Sequence, residues 1–342
     1  MGDLGRLVAI QHKIAPELSE VVERRYSVLR QTHFAQPIGR RTLAQYTGYG
    51  ERKVRADIAF LKEQGLVRVD PAGIMLTQEG EDALTILADY VRELRGLANL
   101  EEEISRRLSV EKVVVVFGDS DQDPSVKRDM GRVAAKLLRE MIRDDDIVSV
   151  GGGTTMAEVA SALSRPWNKK GVIFVPARGS LGDDVEIQAD TVAAAMAKNV
   201  GVGHRLLAVP DDLAAETLLK ICDEPRIKEI LDIIRRARIV VHGIGTVDEM
   251  ARRRRLPEDE IRLLKERGAV AEMFGYYFNA SGDVVHVTPS MGLRPEDLIE
   301  KQVMAVAGGA KKAAAIAAVM ANHPRQTLIT DEGAAKAIIG TS

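Results

Sequence analysis

Cysteine is nearly absent: Cys222 stands alone among 342 residues. A lone thiol cannot close an internal disulfide, which excludes a disulfide-stapled secreted scaffold and fits a reducing cytosol. No apolar run approaches the ~18 residues that a membrane-spanning helix needs. The segment Met1 to Ile10 lacks the apolar core of a signal peptide. An excess of one charge sign is missing too, since the formal net charge is -2; the whole chain is no polycation. The histidines are scattered without metal-ligand spacing, so no metal site is expected. There is no G-x-S-x-G elbow, no nucleophilic cysteine in a reactive setting, no internal repeat and no low-complexity stretch. These absences leave no forced catalytic constellation and no expected cofactor.

What remains is an ordinary globular composition, 45% apolar and 29% charged, long enough for one large domain or two of common size. Charge is patterned locally. From Arg24 to Arg68 there are ten Lys/Arg against three Asp/Glu, a surplus of seven. Such a patch suits a polyanion partner, although a solvated basic face has the same composition.

Residues 13–108 read almost entirely as helical, with one break. Leu18, Val21, Val22, Val28 and Leu29 recur at helical spacing over Glu17 to Phe34, until Pro37 and Gly39 end the pattern. A short helix over Arg41 to Tyr46 follows. Thr47-Gly48-Tyr49-Gly50 forms a turn, and Glu51 to Gln64 is a third helix with Val54, Ile58 and Leu61 on one face. Gly65 is placed to close it. Leu66 to Val69 and Ile74 to Leu76 flank Asp70-Pro71-Ala72-Gly73 as a hairpin, after which Thr77 caps a long helix over 80–108. This order is that of a winged helix-turn-helix. Its third helix would present Arg52, Lys53 and Arg55 to base edges, with Arg40 and Arg41 on phosphates. The expected partner is operator DNA.

From Glu111 the pattern becomes alternating strands and helices, with short β-branched runs at 113–117, 147–150, 172–175, 206–209, 239–241, 304–307 and 327–330. Near-continuous apolar strands imply a parallel sheet covered on both faces, a doubly wound α/β domain. Phe274 to Val287 reads as an inserted hairpin, and Asp144-Asp145-Asp146 as a solvated loop. The domains expected are 1–80 for DNA binding, 81–110 as a linker or oligomerisation helix, and 111–342 for an effector.

Glycine-bearing loops follow several strands. Gly151-Gly152-Gly153-Thr154-Thr155 joins a strand to a helix. It is not a Walker A loop, because no Lys follows its last Gly, and its glycine spacing is not GxGxxG. Backbone N–H groups and the helix dipole there favour an anion, though a plain strand-to-helix turn has the same look. Pro176-Ala177-Arg178-Gly179, His242-Gly243-Ile244-Gly245 and Ala307-Gly308-Gly309-Ala310-Lys311-Lys312 follow other strands. Open α/β sheets bind ligands at such carboxyl ends. Arg178 and Lys312 would supply positive charge, and the run Arg252 to Arg255 a second basic cluster. Glu272, Asp331 and His242 are the available acids and base, and Asp119-Ser120-Asp121 could cap the site or meet a sugar hydroxyl.

Nine segments carry a specific resemblance. They are Pro-Ile-Gly-Arg-Arg (37–41), Phe-Leu-Lys-Glu-Gln (60–64), Gly-Asp-Ser-Asp-Gln (118–122), Gly-Gly-Thr-Thr (152–155), Phe-Val-Pro-Ala-Arg-Gly (174–179), Val-His-Gly-Ile-Gly (241–245), Phe-Gly-Tyr-Tyr-Phe-Asn (274–279), Ala-Val-Ala-Gly-Gly (305–309) and Thr-Asp-Glu-Gly-Ala-Ala (330–335). In this order they resemble the SorC/DeoR-like sugar-binding transcriptional regulators over essentially the whole chain. The resemblance implies an effector domain similar to sugar-phosphate isomerases and deaminases, and repression of a glycolytic operon relieved by fructose 1,6-bisphosphate. It places Gly152, Gly153, Thr154, Thr155, Arg178 and Lys312 around one phosphate and Arg253 at the other, with Gln188 and Glu272 near the sugar. Gly308 and Gly309 complete the expected effector set. Ala310-Lys311 departs from the more usual Ser-Ser of the family. Two-fold operators favour symmetric proteins, so a homo-oligomer is expected, with the 80–108 helix as a candidate contact. The competing reading is a sugar-phosphate isomerase or deaminase joined to a DNA-binding module, which would need a poised acid and base beside the glycine loops.

Overall fold

A computed structural model describes residues 3–164, 166–211, 213–321 and 326–340. The chain divides into two compact units, Met1–Asn99 and Leu100–Ser342. The division falls inside the helix Leu97–Leu108, within the segment that the sequence reading set apart as a linker. That segment is not one helix. Gln78–Leu94 and Leu97–Leu108 are separate, and Gly96 stands between them at φ 61°, a left-handed backbone that ends a helix at little cost to glycine.

The first unit opens with a helix over Asp3–Ile14, which the sequence reading did not anticipate. Pro16–Ala35, Arg40–Thr47 and Glu51–Glu63 follow, then strands β1 (Val67–Asp70) and β2 (Gly73–Leu76), and then the helix Gln78–Leu94. β1 and β2 pair antiparallel, and Ile38 extends the wing by exchanging both backbone hydrogen bonds with Ile74. Gly48 and Gly65 take the left-handed conformations that end Arg40–Thr47 and Glu51–Glu63. Thr77 caps the last helix, its hydroxyl accepting the Gly80 N–H at 3.0 Å and donating to the Gly65 carbonyl. The core is Val28, Leu29, Leu43, Val54, Ile58, Leu61, Val67 and Ile74, the apolar faces read from spacing. Each fully buried aliphatic side chain of this kind contributes about 1.5–3 kcal/mol.

The second unit holds seven parallel strands: β3 (Lys112–Val116), β4 (Ile147–Val150), β5 (Ile173–Pro176), β6 (Gly203–His204), β7 (Ile239–His242), β12 (Gln302–Val306) and β13 (Gln326–Asp331). Their order is β3-β13-β12-β7-β4-β5-β6. Helices cover the sheet, with Met130, Leu138, Met156, Val159 and Met196 packed on Val148, Val150, Phe174 and Val241. A second, antiparallel sheet of β8 (Gly245–Thr246), β9 (Ala269–Met273), β10 (Tyr276–Asn279) and β11 (Val284–Val287) takes the place of the lone hairpin expected at 274–287. The run Leu206 to Val209 is no strand. Ala208 has φ 50°, and the Asp190 carboxylate accepts the Leu207 and Ala208 N–H groups, which pulls that run off the sheet edge. Asp146 is buried rather than solvated, holding Arg238 Nε at 2.6 Å and the Arg143 N–H at 2.6 Å.

Strand order locates the binding crevice. The chain moves from β4 outward through β5 and β6, then returns to the other side of β4 with β7 and continues outward through β12 and β13. The loops leaving β4 and β7 therefore part in opposite directions and open a gap at their carboxyl ends.

Candidate functional site

At that gap the β4 loop enters the helix Thr154–Ala162. Gly152 leaves no space for a side chain, since a Cβ there would lie 2.5 Å from the Ile187 carbonyl oxygen. Gly153 sits at φ 113° and gives the helix no side-chain cap. The first-turn N–H groups have no intrahelical acceptor and point with the positive end of the helix dipole at whatever lies above them. Exposed Thr154 and half-buried Thr155 add hydroxyls at that end.

An open cleft lies over this loop at the carboxyl ends of the strands. Gly152, Gly153, Thr154, Thr155, Arg178, Gln188, Arg253, Glu272 and Lys312 all line it. Gly308 and Gly309 are not among its lining residues. They press against carboxylates instead, the Gly309 N–H donating to Asp331 Oδ2 at 2.7 Å, and so steer the chain from β12 to Lys312. Lys311 is exposed, and its N–H donates to Asp121 at 2.8 Å, while the neighbouring Lys312 enters the cleft. Of the arginine run, Arg253 lines the cleft and Arg255 pairs with Asp183 at the surface.

The cleft floor is a buried charge network. Arg178 donates to Asp211 and, at 3.0 Å, to Glu272. Arg254 lies 3.3 Å from Glu272 and 3.5 Å from Asp211. Two guanidiniums thus face two carboxylates away from water, where an unmatched charge would be costly. Asp211 also accepts the Ser290 hydroxyl at 2.7 Å and the Met291 N–H at 3.2 Å. Arg178 Nε is buried without a hydrogen-bond partner among the described residues. Gln188 is committed to its own loop: its amide accepts the Leu181 N–H at 2.6 Å and donates to the Leu181 and Gly182 carbonyls.

Arg253 differs from these. It forms no ion pair among the described residues, and its Nη1 lies 3.9 Å from where a Gly153 Cβ would be. Burial, and next the Arg178 charge, push its guanidinium below the ordinary range, against the pull of Glu249, Glu272 and Asp184. The arginine run and the glycine loop therefore converge, rather than standing as two separate basic clusters. Two charged groups at this wall escaped the sequence reading. Lys127 Nζ approaches the Thr154 hydroxyl at 3.5 Å, and Glu249 Oε2 lies 2.7 Å from Lys312 Nζ. Nothing in the local pattern marked them, because each acts across the fold.

The remaining acid and base of the sequence reading have structural partners. Asp331 is fully buried and accepts the N–H groups of Ser120, Gly309 and Ala334 at 2.7–2.9 Å. His242 is buried at the end of β7, with Nδ1 2.9 Å from the Gly243 carbonyl and its ring against Phe274. Asp119 and Asp121 hold the 309–311 turn instead of reaching the cleft.

In the first unit, Glu51–Glu63 buries Val54, Asp57, Ile58 and Leu61 and leaves Arg52, Lys53 and Arg55 exposed. None of these three cations forms an ion pair among the described residues. Arg40 is equally exposed, and Arg41 approaches Glu51 at 3.6 Å. Asp57 fixes the helix from beneath, 2.5 Å from Arg24 Nε and 3.2 Å from Arg25 Nε. Those two arginines belong to the count of basic residues yet serve inside the unit. Asp57 at a core-facing position was the readable sign that a cation must meet it.

Comparison with known families now decides the class. Residues 92–340 match the family model described as "Putative sugar-binding domain", and residues 21–91 match the CggR N-terminal DNA binding domain. The chain belongs to the SorC-type sugar-binding transcriptional regulators. This regulator is 45% identical over 335 residues to the Central glycolytic genes regulator of Priestia megaterium, covering 97% of this chain and 98% of that one. It is 40% identical to the Bacillus subtilis protein of the same name, covering 98% and 99%. A SorC family transcriptional regulator from Enterococcus faecalis superposes with a TM-score of 0.67 at 41% identity, covering 70% of this chain and 99% of that one. The full-length sorbitol operon regulator SorC from Klebsiella pneumoniae, at 16% identity, a TM-score of 0.66 and coverage of 93% and 99%, shares the fold. The regulator is a DNA-binding, sugar-binding protein of transcription and not an enzyme. No helix among the described residues is long and apolar enough to cross a membrane.

Proposed function

We propose that this chain is a homo-oligomeric repressor of glycolytic genes whose hold on operator DNA is controlled by fructose 1,6-bisphosphate in the second unit. The names of its two close full-length relatives support the glycolytic target. The observation that carries the ligand class is the charge around the cleft. Of the charged residues that line it, Arg178, Arg253 and Lys312 outnumber Glu249 and Glu272 by three to two, and Lys127 stands beside Thr154 at a helix N-terminus that lacks a side-chain cap. That surplus suits a ligand with more than one negative group better than a neutral sugar. Glu249 and Glu272 line the cleft and give sugar hydroxyls acceptors.

Control of DNA binding requires only that the ligand favour one conformation over another. A coupling of about 1–3 kcal/mol would change operator affinity roughly 5–150-fold. Two-fold symmetry would let paired recognition helices read half-sites one DNA turn apart. Calorimetric titration of the full chain tests the ligand: fructose 1,6-bisphosphate should bind at least about tenfold more tightly than fructose 6-phosphate. Equal affinities would remove the bisphosphate from the proposal.

A further inference from the structure

Glu249 stands among cations in a cleft whose ligand, on the reading above, is an anion. It lies in the first turn of the helix Val247–Arg254, where Thr246 caps its N–H at 3.3 Å. Its Oε2 is 2.7 Å from Lys312 Nζ. Lys312 does not depend on that contact for its place, because the Ile244 carbonyl holds the same ammonium at 3.0 Å. Burial works against the Glu249 charge, but Lys312 first, then Lys127 and Arg253, outweigh it and keep the carboxyl below the usual glutamate range. Lys127 is itself 3.5 Å from the Thr154 hydroxyl at the helix N-terminus. Lys312 therefore contacts this carboxylate, and Lys127 and Arg253 act on it through space, beside the N–H groups that favour an anion.

We propose that Glu249 is a built-in competitor for the phosphate of the ligand, and that Lys127 is a further cation facing that phosphate. The inference rests on the effector reading and deepens it. An entering phosphate takes over Lys312, Lys127 and Arg253. The carboxylate turns to water, which its 37% side-chain exposure makes a short move. The phosphate wins because it brings up to two negative charges and three acceptor oxygens where the carboxylate has one charge and two. A neutral sugar cannot make the exchange. Glu249 thus screens out unphosphorylated sugars and raises the ligand concentration at which the regulator responds.

The competing account is that Glu249 merely orients Lys312, and the two accounts predict opposite signs. The test is calorimetric titration of the full chain with inorganic phosphate and, separately, with fructose 1,6-bisphosphate, at one pH and ionic strength. Glu249→Gln should bind inorganic phosphate about tenfold more tightly than the parent, since a charge competing at contact distance has been removed. Glu249→Asp, whose carboxylate is drawn back by one methylene, should fall between them and serves if the glutamine variant folds poorly. Lys127→Met should weaken phosphate binding in either background. Unchanged or weaker phosphate binding by both Glu249 variants overturns the competitor role, as does the lack of phosphate binding by every protein. If the parent ignores the bisphosphate while Glu249→Gln gains phosphate affinity, the effector identity falls and the competitor role stands. If the parent binds the bisphosphate and the Glu249 variants gain nothing, the reverse holds.

Discussion

The two units use the same side chain in opposite ways. Arg52 and Arg55 on Glu51–Glu63, the proposed recognition helix, are exposed and unpaired among the described residues, whereas Arg178 and Arg254 are buried and matched by Asp211 and Glu272. An exposed arginine contributes little to the fold and is free to meet a phosphate or a guanine edge, at an energy that salt weakens. A buried arginine is fixed in direction by its carboxylates and screened little by salt. The first arrangement suits a long polyanion read along a groove, and the second a small ligand that must fit a shape. Arg253 lies between these extremes, half-buried, without an ion pair among the described residues, and against the glycine loop.

That contrast fails first, if it is wrong, at Arg178. Arg178→Ala leaves Asp211 and Glu272 with Arg254 alone, and should destabilise the second unit by roughly 3–5 kcal/mol. Thermal unfolding followed by circular dichroism would show it as a lowered melting temperature, and an unchanged value would mean that the network is not structural. The same reasoning makes this variant a poor probe of ligand contact, although the sequence alone recommends it. On the recognition helix, Arg52→Ala or Arg55→Ala should leave the melting temperature alone and cost ~1–3 kcal/mol of operator affinity where the side chain reads a guanine. Fluorescence anisotropy with labelled operator DNA would read this; equal affinity for both variants would remove the base-reading role. Arg253→Ala should weaken fructose 1,6-bisphosphate binding about tenfold with little loss of stability, the sharpest separation of ligand contact from scaffold. Loss of folding in that variant would place Arg253 with Arg178. The smallest effect is expected at Arg40: Arg40→Ala should lower the slope of log affinity against log salt by about one, uniformly across DNA sequences.

The architecture was readable because its signals are local. Val54, Ile58 and Leu61 repeat at helical spacing, Thr77 announces a cap, and β-branched runs alternate with helical ones. Where tertiary contacts override such signals, the reading missed. The Leu206 to Val209 run has strand composition, but Asp190 captures two of its N–H groups. Gly96 lies inside the single helix expected over 80–108 and is a left-handed break. The cleft divides the same way. Glycine loops at strand ends marked the site, yet Asp211 lies 33 residues from Arg178 and Glu272 lies 94 residues from it, so the pairing that immobilises Arg178 has no signature along the chain. Gly308 and Gly309 drew attention for the reason that makes them useful: they fit beneath Asp331 and Asp121, away from the cleft.

The most direct test of the account joins its two halves. Operator binding by the full chain should be measured at fixed salt while fructose 1,6-bisphosphate is titrated, with fructose 6-phosphate as the comparison. The account predicts that the bisphosphate weakens the complex roughly 5–150-fold, at a lower concentration than the monophosphate requires. An operator affinity that stays constant up to saturating bisphosphate, in a protein shown by calorimetry to have bound it, would contradict the coupling on which the account stands.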